Sequence, residues 1–174
     1  MNKVTEKLLQ MVSDWKGAFD GAYNIREDGE CAGRVSSKNI QIDSKSDGPG
    51  LVIHIEPETK GETVYIPACV THSAVDDLVY NDFYVGEGAH VTIVAGCGVH
   101  SDGEEEARHN GIHRFFVEKG AYVLYQEKHV GTGSGAGCCP ARKASQPVSS
   151  AGVKRARSAP MSRLFSRLES RTPS

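Results

Sequence analysis

The hydrophobic residues of the chain change their spacing after Gly17. From residue 4 to residue 15 they recur every three to four positions, which predicts an amphipathic helix that ends before Gly17. From residue 17 to residue 130 they are mainly β-branched, with 13 Val and 8 Ile against three Leu. Because β-branched side chains lose rotamer freedom in helices and suit pleated surfaces, this region is predicted to be β-rich.

Short apolar segments fill the β-rich region, and Gly, Asp, Asn and Pro separate them. No helical pattern lies between the segments, which argues against a helical bundle and against a doubly wound sheet. The strand candidates are residues 34–42, 51–55, 63–67, 78–85, 90–95, 112–117 and 122–129.

An internal repeat narrows the choice of fold. Residues 83–91 read FYVGEGAHV and residues 115–123 read FFVEKGAYV. The Gly at the same place in both copies suits a turn that needs a positive φ. Strand–turn units repeated at this distance are typical of stacked β-solenoid coils, whereas the alternative is two ordinary hairpin turns in a sandwich or barrel.

The charge of the chain changes sign near its end. Residues 1–130 contain 12 basic and 21 acidic residues, whereas residues 131–174 contain eight basic residues and one acidic residue, together with nine Ser and four Pro. Such a segment buries too little apolar surface to offset its ordering entropy, so disorder is predicted. Its single aromatic residue offers no stacking platform, and no specific nucleic-acid partner is expected.

Cellular location follows from what the chain lacks. No apolar segment approaches the roughly 20 residues that a membrane span needs. The first seven residues carry an acid and no apolar stretch, so a signal peptide is not expected. The five Cys form no regular framework, which favours reduced thiols. The sequence therefore predicts a cytoplasmic protein without a membrane span.

Metal-binding residue types concentrate in one part of the sequence. Cys97 and His100 have a C-x2-H spacing, and His109 and His113 have an H-x3-H spacing. These four residues are the candidate metal ligands, because thiolate and imidazole can share one zinc or iron ion. The set is less specific than a recognised metal motif, and we favour the interpretation in which the side chains are solvated separately.

A small cupin-like metal-binding enzyme is the alternative function. It would use His100, His109 and His113 with one acid from residues 104–106 around a divalent ion. An antiparallel barrel with these His inward would favour this enzyme, whereas parallel stacked coils would favour a scaffold. The acidic residues 104–106 are otherwise expected to be a solvated surface.

Four segments of the chain resemble the SufB/SufD family of iron–sulfur cluster assembly proteins. They read GAYNIREDG at residues 21–29, GVHSDG at 98–103, HNGIHRFFVEKGA at 109–121 and YQEKHVGTG at 125–133. The resemblance covers roughly residues 1–137 and is strongest to the short members of the family. It implies a right-handed parallel β-helix (β-solenoid) fragment with an N-terminal α-helix.

The resemblance also implies a function. The chain would be a scaffold-type, non-enzymatic component of the SUF system, without catalytic residues. Its partners would be a SufC-type ATPase and a second SufB/SufD-type subunit, and an iron–sulfur cluster would belong to the assembled complex. Independently of the resemblance, Cys69 is expected to be buried, because it lies beside the strand candidate at 63–67. The resemblance assigns no cofactor-binding residue in this chain.

The resemblance stops after about Gly137, where β patterning gives way to the basic segment. Family members continue with further β-helix coils and a helical region that docks the ATPase, and neither has a counterpart here. We therefore expect a chain that is truncated or frame-shifted after this point. The predicted organisation is a helix at 1–17, a β domain at 18–137 and a basic tail at 138–174.

Overall fold

The structure, a computed structural model, describes residues 1–133, 136–137, 153–156 and 168–170. The fold is mainly β with one N-terminal helix in the described residues, which confirms the predicted class at that level. The elements are α1 (Lys3–Ser13), β1 (Ala22–Glu27), β2 (Glu30–Val35), β3 (Ile40–Ser44), β4 (Gly50–Ile55), β5 (Lys60–Tyr65), β6 (Ala68–Val70), β7 (Asp76–Val85), β8 (His90–Ser101), β9 (Ala107–Val117), β10 (Tyr122–Gly133), β11 (Ala136–Gly137), β12 (Val153–Ala156) and β13 (Leu168–Ser170).

Helix α1 begins and ends with local hydrogen bonds. The side chain of Asn2 accepts from the first backbone N–H groups of the helix, and Asp14 ends it with a φ of 54°. Its apolar face packs on the outer side of β8, where a Cβ at Gly98 would lie 2.8 Å from Leu8 Cβ. The absence of side chains at Gly96 and Gly98 lets the helix approach the strand closely. No helix among the described residues is long and apolar enough to cross a membrane.

The strands form two facing sheets. Sheet 1 has the order β12-β10-β8-β5-β1-β2, with β6 beside β1 and β8, and sheet 2 has the order β11-β9-β7-β4-β3, with β13 beside β9. From β4 to β10 the chain passes repeatedly between the sheets, and β4, β7 and β9 pair in parallel, as do β5, β8 and β10. The pairs β1–β2 and β3–β4 are antiparallel, so both sheets are mixed.

The two copies of the sequence repeat lie directly beside each other. Phe83 pairs with Phe115 across β7 and β9, and Val91 pairs with Val123 across β8 and β10. The rings of Phe83 and Phe115 stack with centroids 4.7 Å apart. The positive φ expected at the turns is confirmed at Gly88, with a φ of 68°, and at Gly120, with a φ of 69°.

The space between the sheets contains two apolar clusters with polar side chains between them. One cluster surrounds the stacked Phe83 and Phe115. A smaller one contains Val70, Val99 and Ala107 with Cys97. The intervening inward positions carry buried polar residues: Asn24, Asp77, Asn81, His109 and His113. Burying a polar group without a hydrogen-bond partner costs folding free energy. The middle of the interior, where these polar residues lie, is therefore the place to look for a functional site.

Several predicted boundaries differ from the structure. The single strand expected at 34–42 is wrong, because residues 36–39 turn the chain between β2 and β3. Strands β1 and β6 were not among the candidates, and β8, β9 and β10 are longer than expected. Helix α1 ends at Ser13, four residues before the predicted boundary at 17. The predicted disorder at 138–174 lies outside the described residues, apart from β12 and β13, which pair in parallel with β10 and β9.

Candidate functional site

A cavity of about 280 Å³ opens between the two sheets. Exposed residues near its entrance include Glu30 and Cys31. The side chains that can bind ligands or protons come from both sheets, since Cys97, Glu127 and His129 belong to sheet 1 and His109 and His113 to sheet 2. The lining residues with such side chains are Asn24, Arg26, Glu30, Cys31, Arg34, Asn81, Cys97, His109, Asn110, His113, Glu127 and His129.

A buried carboxylate orients the first histidine of the cavity. His109 Nδ1 lies 2.8 Å from Asp77 Oδ2, and Arg26 binds both oxygens of Asp77 at 2.7 and 2.8 Å. Burial raises the pKa of the Asp77 carboxyl, but hydrogen bonds from Arg26 and His109 outweigh that effect and hold its pKa well below its usual range. Because an ionised carboxylate only accepts, the Nδ1–H of His109 donates a hydrogen bond to Asp77, and Nε2 lies on the opposite side of the ring.

An amide fixes the tautomer of the second histidine. Asn81 Oδ1 accepts from the Leu51 backbone N–H at 3.0 Å, which turns its Nδ2 toward His113 Nδ1 at 3.3 Å. Nδ1 of His113 therefore accepts a hydrogen bond, and Nε2 of the neutral ring carries the proton. Burial lowers the pKa of His113 to about 4, opposed by the charge of Glu127 and reinforced by His109 and His129.

Gly111 leaves room for both rings between these two histidines. A Cβ at residue 111 would lie 2.8 Å from Nε2 of His113 and 3.7 Å from Nε2 of His109. The two Nε2 atoms therefore face the same small volume. Any larger residue at position 111 would compete with them for that space.

Sheet 1 places a thiol, an imidazole and a carboxylate on the opposite wall. His129 pairs in register with Cys97, and Glu127 pairs with Ala95. His129 Nε2 lies 3.0 Å from Glu127 Oε1, which is an ion-pair distance, although the contact does not count as a hydrogen bond. Both ring nitrogens of His129 are buried without a hydrogen-bond partner among the described residues. Buried polar atoms in a polar cavity normally have a partner.

Three of the four candidate metal ligands are buried around one cavity, so the expectation that they are solvated separately is wrong for these three, although their side chains do not converge on one point. Cys97, His109 and His113 line the cavity, whereas His100 does not. On a strand, side chains alternate between faces, so three residues of separation put Cys97 and His100 on opposite faces of β8, and four residues put His109 and His113 on the same face of β9. His100 Nδ1 instead lies 3.0 Å from Thr132 Oγ1.

The acidic residues 104–106 lie in a short exposed loop between β8 and β9. Their predicted solvation is confirmed, and they are not among the cavity residues. The strand candidates left residues 96–111 outside any strand, whereas β8 extends to Ser101 and β9 begins at Ala107. As the side chains lie, no group of three or more His, Cys, Asp or Glu in the described part of the chain could hold a metal ion.

Sequence reasoning did not single out Arg26, Asp77, Glu127 or His129 as site residues. Glu127 and His129 fall within the predicted strand at 122–129, two residues apart, and so on one face of it. Tyr125, Glu127 and His129 lie on the same face of this strand, and the change from an aromatic residue to polar residues along that face is the signal that could have identified them. Asp77 and His109 are 32 residues apart, which is also the distance between the copies of the repeat.

The remaining cysteines differ in exposure. Cys69 is 1% exposed, which confirms its predicted burial. Burial raises the pKa of its thiol to about 12, and the charges of Glu27 and Asp28 add to the effect. Cys31 is exposed. The adjacent Cys138 and Cys139 lie outside the described residues.

No protein-family model, curated protein or solved structure matches this chain.

Proposed function

We propose that this chain is a scaffold-type subunit of the SUF iron–sulfur cluster assembly system. The proposal rests on the four segments that resemble the SufB/SufD family, which fall on or next to β1, β8, β9 and β10. In this role the chain is not itself an enzyme. The iron–sulfur cluster is the cargo of the assembled complex.

The observation that carries the proposal is the parallel, in-register pairing of the strands that contain the two copies of the repeat. Ten residue pairs join β7 to β9 and twelve join β8 to β10, without a register shift. Each coil therefore repeats the path of the preceding one, which supports a right-handed parallel β-helix, since parallel crossover connections are almost always right-handed. The resemblance implies that architecture.

The same geometry favours the scaffold over the cupin-like enzyme. The enzyme would need His100 inward and a carboxylate from residues 104–106 nearby. His100 is outside the cavity, and those carboxylates are exposed. The parallel pairing of β7 with β9 is also unlike the antiparallel barrel that such an enzyme would use. Two inward histidines, His109 and His113, remain as the feature that the alternative shares with this structure.

Reconstitution of the complex tests the proposal. The full chain would be co-expressed with a tagged SufC-type ATPase and a SufB/SufD-type subunit from the same source, and then purified on the tag. The proposal predicts that the chain co-elutes with the SufB/SufD-type subunit at fixed stoichiometry in size-exclusion chromatography, and that it is retained on the tagged ATPase through that subunit, since the ATPase-docking region has no counterpart in this chain. An unrelated β-solenoid protein of similar charge is the control. If the chain elutes alone while the two partners bind each other, it is not a subunit of this system.

A further inference from the structure

The cavity between the sheets has an unusual set of donor atoms for a protein interior. Cys97 supplies a thiol, His109 and His129 supply imidazole nitrogens, and Glu127 supplies a carboxylate. Sulfur and imidazole nitrogen suit borderline transition metals such as Zn²⁺ and Fe²⁺ better than Mg²⁺ or Ca²⁺. The positive charge of Arg26 does not exclude a cation from the cavity, because both oxygens of Asp77 bind its guanidinium.

His109 already has the form that a metal ligand needs. Its Nδ1–H donates to Asp77 and its Nε2 faces the cavity near Gly111. Histidine ligands usually donate their second ring nitrogen to a carboxylate, which fixes the tautomer and makes the ligating nitrogen more basic. Here the supporting carboxylate is held in place by Arg26, so the arrangement exists before any ion binds.

His129 gives an independent indication of a ligand. Both of its nitrogens are buried without a hydrogen bond to the described residues, and its register partner on β8 is Cys97. Neighbouring strands lie about 4.8 Å apart, so the two side chains emerge side by side on the inner face. An ion between the two side chains would be a partner for the His129 imidazole, which has no hydrogen bond to any described residue.

We propose that Cys97, His109 and His129 bind one divalent transition-metal ion of the Zn²⁺ or Fe²⁺ type in this cavity. The Cys97 thiolate and the Glu127 carboxylate together balance the charge of the ion. His113 is not a ligand, because Asn81 fixes its proton on the nitrogen that faces the cavity. Since no three of these groups converge as they lie, binding draws Cys97 and His129 inward by side-chain rotation.

Cobalt titration of the full chain tests this site, because tetrahedral Co²⁺ has visible absorption bands and a thiolate ligand adds a charge-transfer band in the near ultraviolet. The background carries Ser in place of Cys31, Cys138 and Cys139, which leaves Cys97 as the thiol that lines the cavity. We expect one equivalent of Co²⁺ to bind, with both the visible bands of tetrahedral Co²⁺ and the charge-transfer band of a thiolate ligand. Cys97→Ser should remove the charge-transfer band, and His129→Gln should weaken binding at least tenfold.

Matched variants separate this site from binding to other histidines. His100→Gln changes a histidine on the same strand as Cys97 but on its outer face, and it should leave the titration unchanged. Gly111→Ala keeps every proposed ligand and places a methyl group 2.8 Å from His113 Nε2 and 3.7 Å from His109 Nε2, so it crowds the space in which the ion would sit and should weaken Co²⁺ binding. Circular dichroism identifies any variant that fails to fold. If a ligand variant does not fold, the effect of Gly111→Ala on Co²⁺ binding decides whether the ion occupies this cavity.

Thermal unfolding provides a second measurement, in which all of the proposed metal ligands are retained. Zn²⁺ should raise the Tm of the parent background and of His100→Gln, because an ion that binds only the folded chain stabilises it. A charge-transfer band that survives Cys97→Ser, or cobalt binding that His100→Gln removes, would show adventitious binding only and overturn the proposal. Failure of Co²⁺ and Zn²⁺ binding would leave the reconstitution with the SUF partners unaffected, so the two proposals can fail separately.

Discussion

The buried His113 makes the stability of this fold depend on pH in a range where carboxylates contribute little. Its pKa is about 4 in the folded protein because burial disfavours the charged ring. In the unfolded chain an exposed His has a pKa of about 6.5. Below that value the unfolded state binds a proton that the folded state does not, so stability is lost as the pH falls from about 6.5 to about 4.

The size of this effect follows from the two pKa values. The difference corresponds to about 3 kcal/mol at full titration, of which about 2 kcal/mol is lost by pH 5. Urea unfolding at pH 7 and pH 5, in metal-free buffer of constant ionic strength, measures it directly. We expect the parent protein to lose about 2 kcal/mol more between the two pH values than His113→Gln does.

An exposed histidine provides the control for this experiment. His90→Gln replaces an exposed histidine at the start of β8, in the sheet opposite His113, and should retain the pH dependence of the parent protein. If His113→Gln and the parent lose the same free energy of unfolding between pH 7 and pH 5, His113 is not buried in its neutral form and the reasoning fails.

Three further predictions concern single contacts. Asp77→Asn should cost about 3 kcal/mol in urea unfolding, because it leaves a partly buried guanidinium without its carboxylate. Gly98→Ala should cost about 1–3 kcal/mol, because the new methyl group meets Leu8, and Leu8→Ala in the same chain should recover part of that cost in a double-mutant cycle. Cys69 should resist iodoacetamide at pH 8 while the exposed Cys31 is alkylated, as read by peptide mass spectrometry.

Each of these predictions has an outcome that contradicts it. An Asp77→Asn protein as stable as the parent would mean that the ion pair is dispensable. Strictly additive costs for Gly98→Ala and Leu8→Ala would mean that α1 does not contact β8 as described. Equal alkylation rates at Cys69 and Cys31 in the folded protein would mean that Cys69 is accessible.

The sequence predicted the parts of the fold that depend on local pattern. The β-branched composition predicted the β-rich body, and the repeat predicted that residues 83–91 and 115–123 occupy equivalent places. It did not predict β1, because Asn24 and Arg26 interrupt its apolar residues. Those side chains face a polar cavity, so the rule that inward residues are apolar fails there for a structural reason.

The candidate site was half predictable for a similar reason. The spacing of His109 and His113 places both side chains on one face of a strand as well as of a helix, because residues four positions apart share a face in both structures. The spacing of Cys97 and His100 works only in a turn or helix, and the strand that contains them separates the two. His129 reaches Cys97 through strand pairing, which no local spacing reveals.

The length of one coil has a consequence for the kinds of mutation that this gene can accept. Asp77 pairs with His109, Asn81 with His113, and Cys97 with His129, always one coil apart. Because these strands pair in parallel without a register shift, each polar position meets another on the same face. Inserting one codon at the start of β9 would turn His109 and His113 to the outside and bring their outward neighbours inward. Insertions and deletions within a coil should therefore be far more damaging than substitutions on its surface, with length changes tolerated mainly in the exposed loop at 102–106.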